Sequence, residues 1–220
     1  MNIDYKEFEK YATGHVGLSS SRLWDYENSM TPYILEERQL RVTQMDIFSR
    51  LMMDRIIWIA GPIREITAQV LQAQLMFLDN QEEREITLHI DSPGGSVKAG
   101  LGIVDVMEYI KCDIRTVNTG MAASMASVLL AAGTKGKRNS LRYSKTMLHQ
   151  SSGGAVGNIE DARITMEEWE KTNKILFELL GRYCGKTPKR IVKDAQRDLW
   201  LDATEALDYG VIDEIIEKRK

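Results

Sequence analysis

Glu85-Ile86-Thr87-Leu88-His89-Ile90-Asp91 alternates apolar and polar residues and then stops at Ser92-Pro93-Gly94-Gly95. Ile86, Leu88 and Ile90 fall on one face, with Thr87, His89 and Asp91 on the other, the period-two pattern of a strand with one buried side. Proline fixes the chain after the strand and two glycines let it turn. A helical spacing follows, with Ala99, Ile103, Val106, Met107 and Ile110 on one side. The neighbouring segments repeat this order. Upstream, Ile56 to Ala60 ends at Gly61-Pro62 and leads into a helix with Ile66, Val70, Leu71, Leu75 and Leu78 at three- and four-residue steps. Downstream, Ile114 to Asn118 breaks at Thr119-Gly120 and feeds a small-residue helix over Ala122 to Ala132. Strand–helix alternation of this kind predicts an α/β fold with parallel strands.

Further out the pattern changes. Thr146 to Gln150 reads as a short strand, and Ser151 to Gly157 is rich in glycine and serine. A long helix is then expected over about 158–183, with Ile159, Ala162, Met166, Trp169, Leu176, Leu180 and Tyr183 in a stripe that Asn173 alone interrupts. Such a stripe packs either on its own domain or, being long and narrow, along a seam with another chain. A short helix follows near Pro188 to Ala195. Asp202 and Glu205 are spaced as a capping pair for Ala203 to Tyr209, Gly210 ends that helix, and Val211 to Ile216 closes as a strand. Residues 1–30 read as a mobile arm and 31–220 as a single domain.

The composition is that of an ordinary globular protein: 43% hydrophobic, 28% charged and a formal net charge of -3. Acids and bases are interleaved, so nucleic acid and anionic membranes are poor partners. The two cysteines, Cys112 and Cys184, have neither metal-ligand nor redox-motif spacing and read as reduced thiols. The charged N-terminus lacks the apolar core of a signal peptide, and the nearly apolar stretch Met121 to Gly133 is too short to span a bilayer. A cytoplasmic protein without a membrane segment is expected.

Chemistry centres on Ser124. It follows the third strand within Gly120-Met121-Ala122-Ala123-Ser124-Met125-Ala126-Ser127, where small neighbours let a substrate backbone approach. At a helix start, unpaired amides favour a developing oxyanion. A lone serine there is more often a cap, and the Gly-x-Ser-x-Gly elbow is absent. A serine nucleophile needs a base. Of three histidines, His15 lies in the polar arm, His89 on a strand face, and His149 at a strand end just before a Gly/Ser-rich loop. An acid must orient the imidazole, and spacing does not separate Asp194 from Asp198. Ser92-Pro93-Gly94-Gly95-Ser96 is either a plain turn or the source of a second oxyanion donor at Gly95. It is no phosphate-binding loop, since no Gly-Lys-Ser/Thr follows.

Several motifs together resemble the Clp protease proteolytic-subunit family (ClpP). These are Asp46-Ile47-Phe48-Ser49-Arg50-Leu51, Ser92-Pro93-Gly94-Gly95, Gly120-Met121-Ala122-Ala123-Ser124-Met125, Lys135-Gly136-Lys137-Arg138, Met147-Leu148-His149-Gln150 and Arg197-Asp198, in the family's order from about Tyr33 to Ile216. The resemblance implies a crotonase-like (ClpP-type) α/β domain with a long protruding handle helix. It implies a serine endopeptidase with Ser124 as nucleophile, His149 as general base and Asp198 as the orienting acid. The amides of Gly95 and Met125 would form the oxyanion hole, and Gly153 and Gly154 would pair with extended substrate. It further implies a homo-oligomer of two stacked heptameric rings, unfolded protein or peptide substrates, and a separate AAA+ Clp ATPase. That partner would use the ATP, this chain needing no cofactor and no metal.

Five positions depart from the family pattern. Ser151 stands where proline commonly follows His-Gln, Asp91 where asparagine precedes Ser-Pro-Gly-Gly, and Gln196 where an acid precedes the Arg-Asp pair. Thr87 and His89 replace aromatics on the strand where the ATPase docks, which predicts shallower docking pockets. Two rival readings remain: a crotonase-fold acyl-CoA enzyme, which would rely on acidic residues, and a partner-dependent or mainly structural ring subunit.

Overall fold

The computed structural model describes residues 33–38, 41–151 and 158–218. The expected arm over 1–30 and the candidate substrate-binding Gly153 and Gly154 lie outside the described residues. The chain divides into two compact units, one ending at Asp54 and the other beginning at Arg55.

In the first unit, β1 (Tyr33–Arg38) and β2 (Arg41–Asp46) form an antiparallel hairpin with Arg38 opposite Arg41. Helix α1 (Ile47–Met53) follows directly. Asp46 caps it, accepting hydrogen bonds from the Phe48 and Ser49 amides at 3.1 and 3.0 Å.

The second unit is built on a sheet in the order β3-β4-β5-β6-β9, from Ile56–Ala60, Ile86–Ser92, Ile114–Ala123, Arg138–Leu141 and Glu214–Ile216. All four neighbouring pairs are parallel, as the strand–helix alternation predicts. The crossovers use α2 (Glu65–Gln81), α3 (Val97–Tyr109) and α4 (Met125–Ala131). Ile86, Leu88 and Ile90 are fully buried on one face of β4. Full burial of such a side chain contributes about 1.5–3 kcal/mol.

The expected face of α2 is displaced. Ala68, Leu71, Leu75 and Leu78 are buried, whereas Ile66 and Val70 are 65% and 50% exposed. Ala68 supplies the missing position of the stripe, and an alanine carries little weight in an apolar pattern.

β5 corrects the sequence reading most. The strand does not stop at Asn118 but continues to Ala123, and the helix starts at Met125 rather than Ala122. Thr116–Asn118 pair with β6, whereas Met121–Ala123 pair with β7 (Lys145–Leu148). Between these stretches the register against β4 shifts, from Ile90 opposite Asn118 to Ser92 opposite Ala122, so Thr119-Gly120-Met121 bulges. Asp91 accepts the Met121 amide at 3.0 Å, and a Cβ on Gly120 would sit 2.6 Å from the same carboxylate. Any larger residue would have to displace that carboxylate from the Met121 amide. The Asn118 side-chain Nδ2 donates to the Lys145 carbonyl at 3.0 Å and stitches the fork together.

β7 also pairs antiparallel with β8 (Leu199–Leu201). Helix α5 (Ile159–Cys184) is capped by Asn158 and ends at Gly185 in the left-handed conformation. Only its last three turns bury side chains, at Leu176, Leu180 and Cys184. The stripe therefore divides: Leu176 and Leu180 serve their own unit, while Ile159 and Met166 are 85% and 55% exposed. Helix α6 (Pro188–Asp194) follows, and then α7 (Ala203–Tyr209) with the expected Asp202–Glu205 capping box.

Candidate active site

Ser124 sits at the junction of β5 and α4 with φ 54 and ψ -125. That backbone costs a residue with a Cβ about 1–3 kcal/mol and persists only when its surroundings hold it. Here they do. The Ser124 amide donates to the Met147 carbonyl of β7 at 2.9 Å, and its carbonyl accepts from the Ser127 amide at 3.0 Å and the Ser127 hydroxyl at 2.6 Å. The strand–turn–helix geometry is that of a nucleophile elbow, reached without its glycine motif because Ala122 and Ala126 leave enough room.

His149 lies one residue beyond β7, and its Nε2 is 2.8 Å from Ser124 Oγ. Leu148 pairs with Leu199 in the antiparallel β7–β8 ladder, so continuing that register sets residue 149 opposite residue 198. His149 Nδ1 is 3.3 Å from Asp198 Oδ1. Asp194 is engaged elsewhere, accepting Arg190 Nε at 2.7 Å and the Tyr209 hydroxyl at 3.0 Å. Burial raises the Asp194 carboxyl, but those hydrogen bonds and the Arg190 charge outweigh it and hold it below the ordinary carboxylate range. Of the two acids that spacing left open, the geometry brings Asp198 to the imidazole.

The Ser92–Ser96 loop closes the other side. Ser92 donates to the Gly61 carbonyl at 2.6 Å and accepts the Gly94 amide at 3.1 Å. The Gly94 carbonyl accepts the Ile63 amide at 2.8 Å. In a trans peptide the carbonyl and the following N–H point opposite ways, so this bond turns the Gly95 N–H away from Ile63. Gly94, at φ 90, presses against the serine: a Cβ there would meet Ser124 Cβ at 2.7 Å and the Met125 nitrogen at 2.9 Å. Met125, as the first residue of α4, has an amide with no carbonyl one turn behind it to bond.

A family model described as Clp protease matches residues 38–219. The chain belongs to the Clp protease family. Membership makes it a peptidase with the family's α/β fold. It is 51% identical to an ATP-dependent Clp protease proteolytic subunit of Porphyromonas gingivalis, over 97% of this chain and 99% of that protein. The proteins of the same name from Bacteroides fragilis and Bacteroides thetaiotaomicron are 50% and 48% identical, with the same coverage.

Beside the Ser124–His149 contact lies a cleft lined by Val97, Met125, Leu148, Leu176, Phe177 and Leu180. Leu176 and Leu180, for which the sequence left packing on their own domain or along a seam both open, form one wall of this cleft. Among the described residues no group of histidine, cysteine and acidic side chains could hold a metal ion. On the strand face that lacks the family's aromatics, His89 stacks on Trp58 of β3, with ring centroids 4.8 Å apart. That face therefore has an aromatic after all, carried by the adjacent strand. Sequence reasoning gave no role to Met147 and Ser127, although both stand in the stretches that carry His149 and Ser124; they hold the serine through a carbonyl and a short hydroxyl contact.

Proposed function

We propose that the chain is the proteolytic subunit of an ATP-dependent Clp protease and hydrolyses peptide bonds by serine catalysis. Ser124 is the nucleophile, His149 the general base and Asp198 its orienting acid. The observation that carries this reading is the imidazole itself, with Nε2 2.8 Å from Ser124 Oγ and Nδ1 3.3 Å from Asp198. A carboxylate facing Nδ1 favours the tautomer with its proton there, which leaves the Nε2 lone pair to accept the serine proton. Oγ then attacks the scissile carbonyl, and the oxyanion is met by the Gly95 and Met125 amides. The imidazolium returns its proton to the leaving amine. Water repeats the sequence on the acyl-enzyme and frees the serine.

The apolar lining of the cleft beside Ser124 suits contact with an apolar part of the substrate. Gly153 and Gly154 are proposed to pair with the extended substrate. The relatives' name points to a separate ATPase, which we take to be an AAA+ unfoldase delivering unfolded protein. Two stacked heptameric rings, a cytoplasmic location and the absence of a cofactor in this chain complete the reading. An acyl-CoA enzyme on this fold is disfavoured because the acid at the site, Asp198, is engaged with the imidazole. Replacing Ser124 by alanine should lower peptide hydrolysis by about 10,000-fold or more and leave the circular dichroism unchanged. A folded Ser124→Ala protein with undiminished activity would overturn the assignment.

A further inference from the structure

Asn173 is the single polar residue in the stripe of α5, and Ser151 stands where the family commonly has proline. The structure joins these two oddities. The Asn173 side-chain oxygen accepts the Ser151 amide at 3.0 Å and the Ser151 hydroxyl at 2.8 Å. A backbone N–H and a hydroxyl both need an acceptor, so the oxygen, and not the amide nitrogen, faces Ser151. A proline at 151 could supply neither donor. Both residues are half-buried, and from the same stretch of α5 Leu176, Phe177 and Leu180 line the cleft beside Ser124.

Ser151 is two residues beyond His149. The imidazole is carried by a short run of chain that leaves β7 after Leu148, and residues 149–151 lie in no strand. On its upstream side the β7–β8 ladder holds Leu148 against Leu199. Downstream the Gln150 amide donates to the Ala195 carbonyl at 3.1 Å, and Ser151 makes its two bonds to Asn173. Asp198 is 59% exposed on its side-chain surface and restrains the ring weakly by itself. The backbone clamp therefore decides whether Nε2 stays within reach of Ser124.

We propose that Asn173 is a positioning residue for the reaction, fixing the His149 imidazole between Ser124 and Asp198 through its two hydrogen bonds to Ser151. This rests on Ser124 and His149 acting as nucleophile and base. The purified full-length chain is treated with a fluorophosphonate, whose rate of attachment to Ser124 reports serine activation without any need for a bound peptide. Asn173→Leu keeps the size and removes the acceptor, so the labelling rate should fall about 10- to 100-fold, the usual cost of a slightly misplaced catalytic group. Asn173→Asp keeps an acceptor oxygen and should restore labelling to within a few-fold of the wild-type rate. Ser151→Pro removes both donors without touching α5 and should reproduce the loss. It also decides the matter should Asn173→Leu fail to fold or change its native mass. Wild-type labelling rates in Asn173→Leu and Ser151→Pro would overturn the proposal, as would a loss that Asn173→Asp does not repair. Failure of the underlying reading looks different: the wild-type protein would then hydrolyse peptides but carry no adduct on Ser124.

Discussion

A methyl group at position 94 would lie 2.6 Å from the Ala123 carbonyl oxygen, 2.7 Å from Ser124 Cβ and 2.9 Å from the Met125 nitrogen. None of these is the free end of a flexible side chain, and φ 90 is itself unfavourable for alanine. Gly94→Ala must push the Ser92–Ser96 loop away from the serine, separating the Gly95 amide from the Met125 amide. With those amides in the proposed oxyanion-binding role, loss of one donor costs about 100- to 1,000-fold in turnover, and that is the expected fall in kcat, with KM much less affected. A kcat within threefold of wild type would show that Gly94 merely turns the chain. Much of this neighbourhood was legible as residues: Ser124, His149 and the two-glycine loop all stand out in the sequence. The positive φ of Ser124 was not, since nothing local announces it. It results from Met147 and Ser127 holding the peptide groups on either side. The choice of Asp198 over Asp194 was equally hidden to spacing, because it depends on which strand pairs with β7.

At the scale of elements, alternation gave away β3 and β4, and the Asp202–Glu205 pair gave away α7. Short strands such as β6 and β8 left no comparable trace, and neither did the forked course of β5. A strand of three or four residues has too few positions to show a period. One charged pair does much to fasten these short elements. Arg138, on β6 and only 1% exposed, donates to Asp213 just before β9 at 2.7 and 2.6 Å, and to the Tyr183 carbonyl of α5 at 2.9 Å. Lys135 adds a second cation at 3.1 Å. Burial raises the Asp213 carboxyl, but hydrogen bonds from Arg138 and Lys135 and the Arg138 charge prevail and hold it far below the ordinary carboxylate range. A carboxylate depressed in the folded state stabilises above its unfolded value, about pH 3.9, and that contribution fades as pH falls towards the folded value. Asp213→Asn strands a buried guanidinium and should cost about 3–5 kcal/mol at neutral pH. Urea unfolding should show a gap between variant and wild type at pH 7 that narrows below about pH 4. Equal midpoints at pH 7 would remove this ion pair from the account of stability.

For the whole molecule, the decisive feature is a helix that, among the described residues, its own unit buries at one end only. Ile159, Ile164, Met166 and Ile175 of α5 are 85%, 60%, 55% and 47% exposed. Ile164 and Ile175 are eleven residues apart, close to three turns, and so share a side roughly opposite the Met166 stripe. The sequence reading registered only the stripe. Ion pairs spaced three or four residues apart, such as Arg163 with Glu167 at 3.6 Å and Lys171 with Glu168 at 2.5 Å, help keep the exposed turns helical. They give no reason for the large apolar side chains between them, each worth about 1.5–3 kcal/mol when buried. A second copy of the chain, presenting the same helix, would cover the Met166 side. Met166→Glu changes a side chain that is already more than half exposed, so the subunit should keep its fold and its circular dichroism. It would nevertheless place a carboxylate inside a helix–helix contact, where leaving a charge unpaired is strongly unfavourable. Native mass spectrometry should therefore find the wild-type chain in a large assembly and Met166→Glu in smaller species. A monomeric wild type, or a Met166→Glu protein of unchanged mass, would mean that the exposed turns of α5 are not where subunits meet.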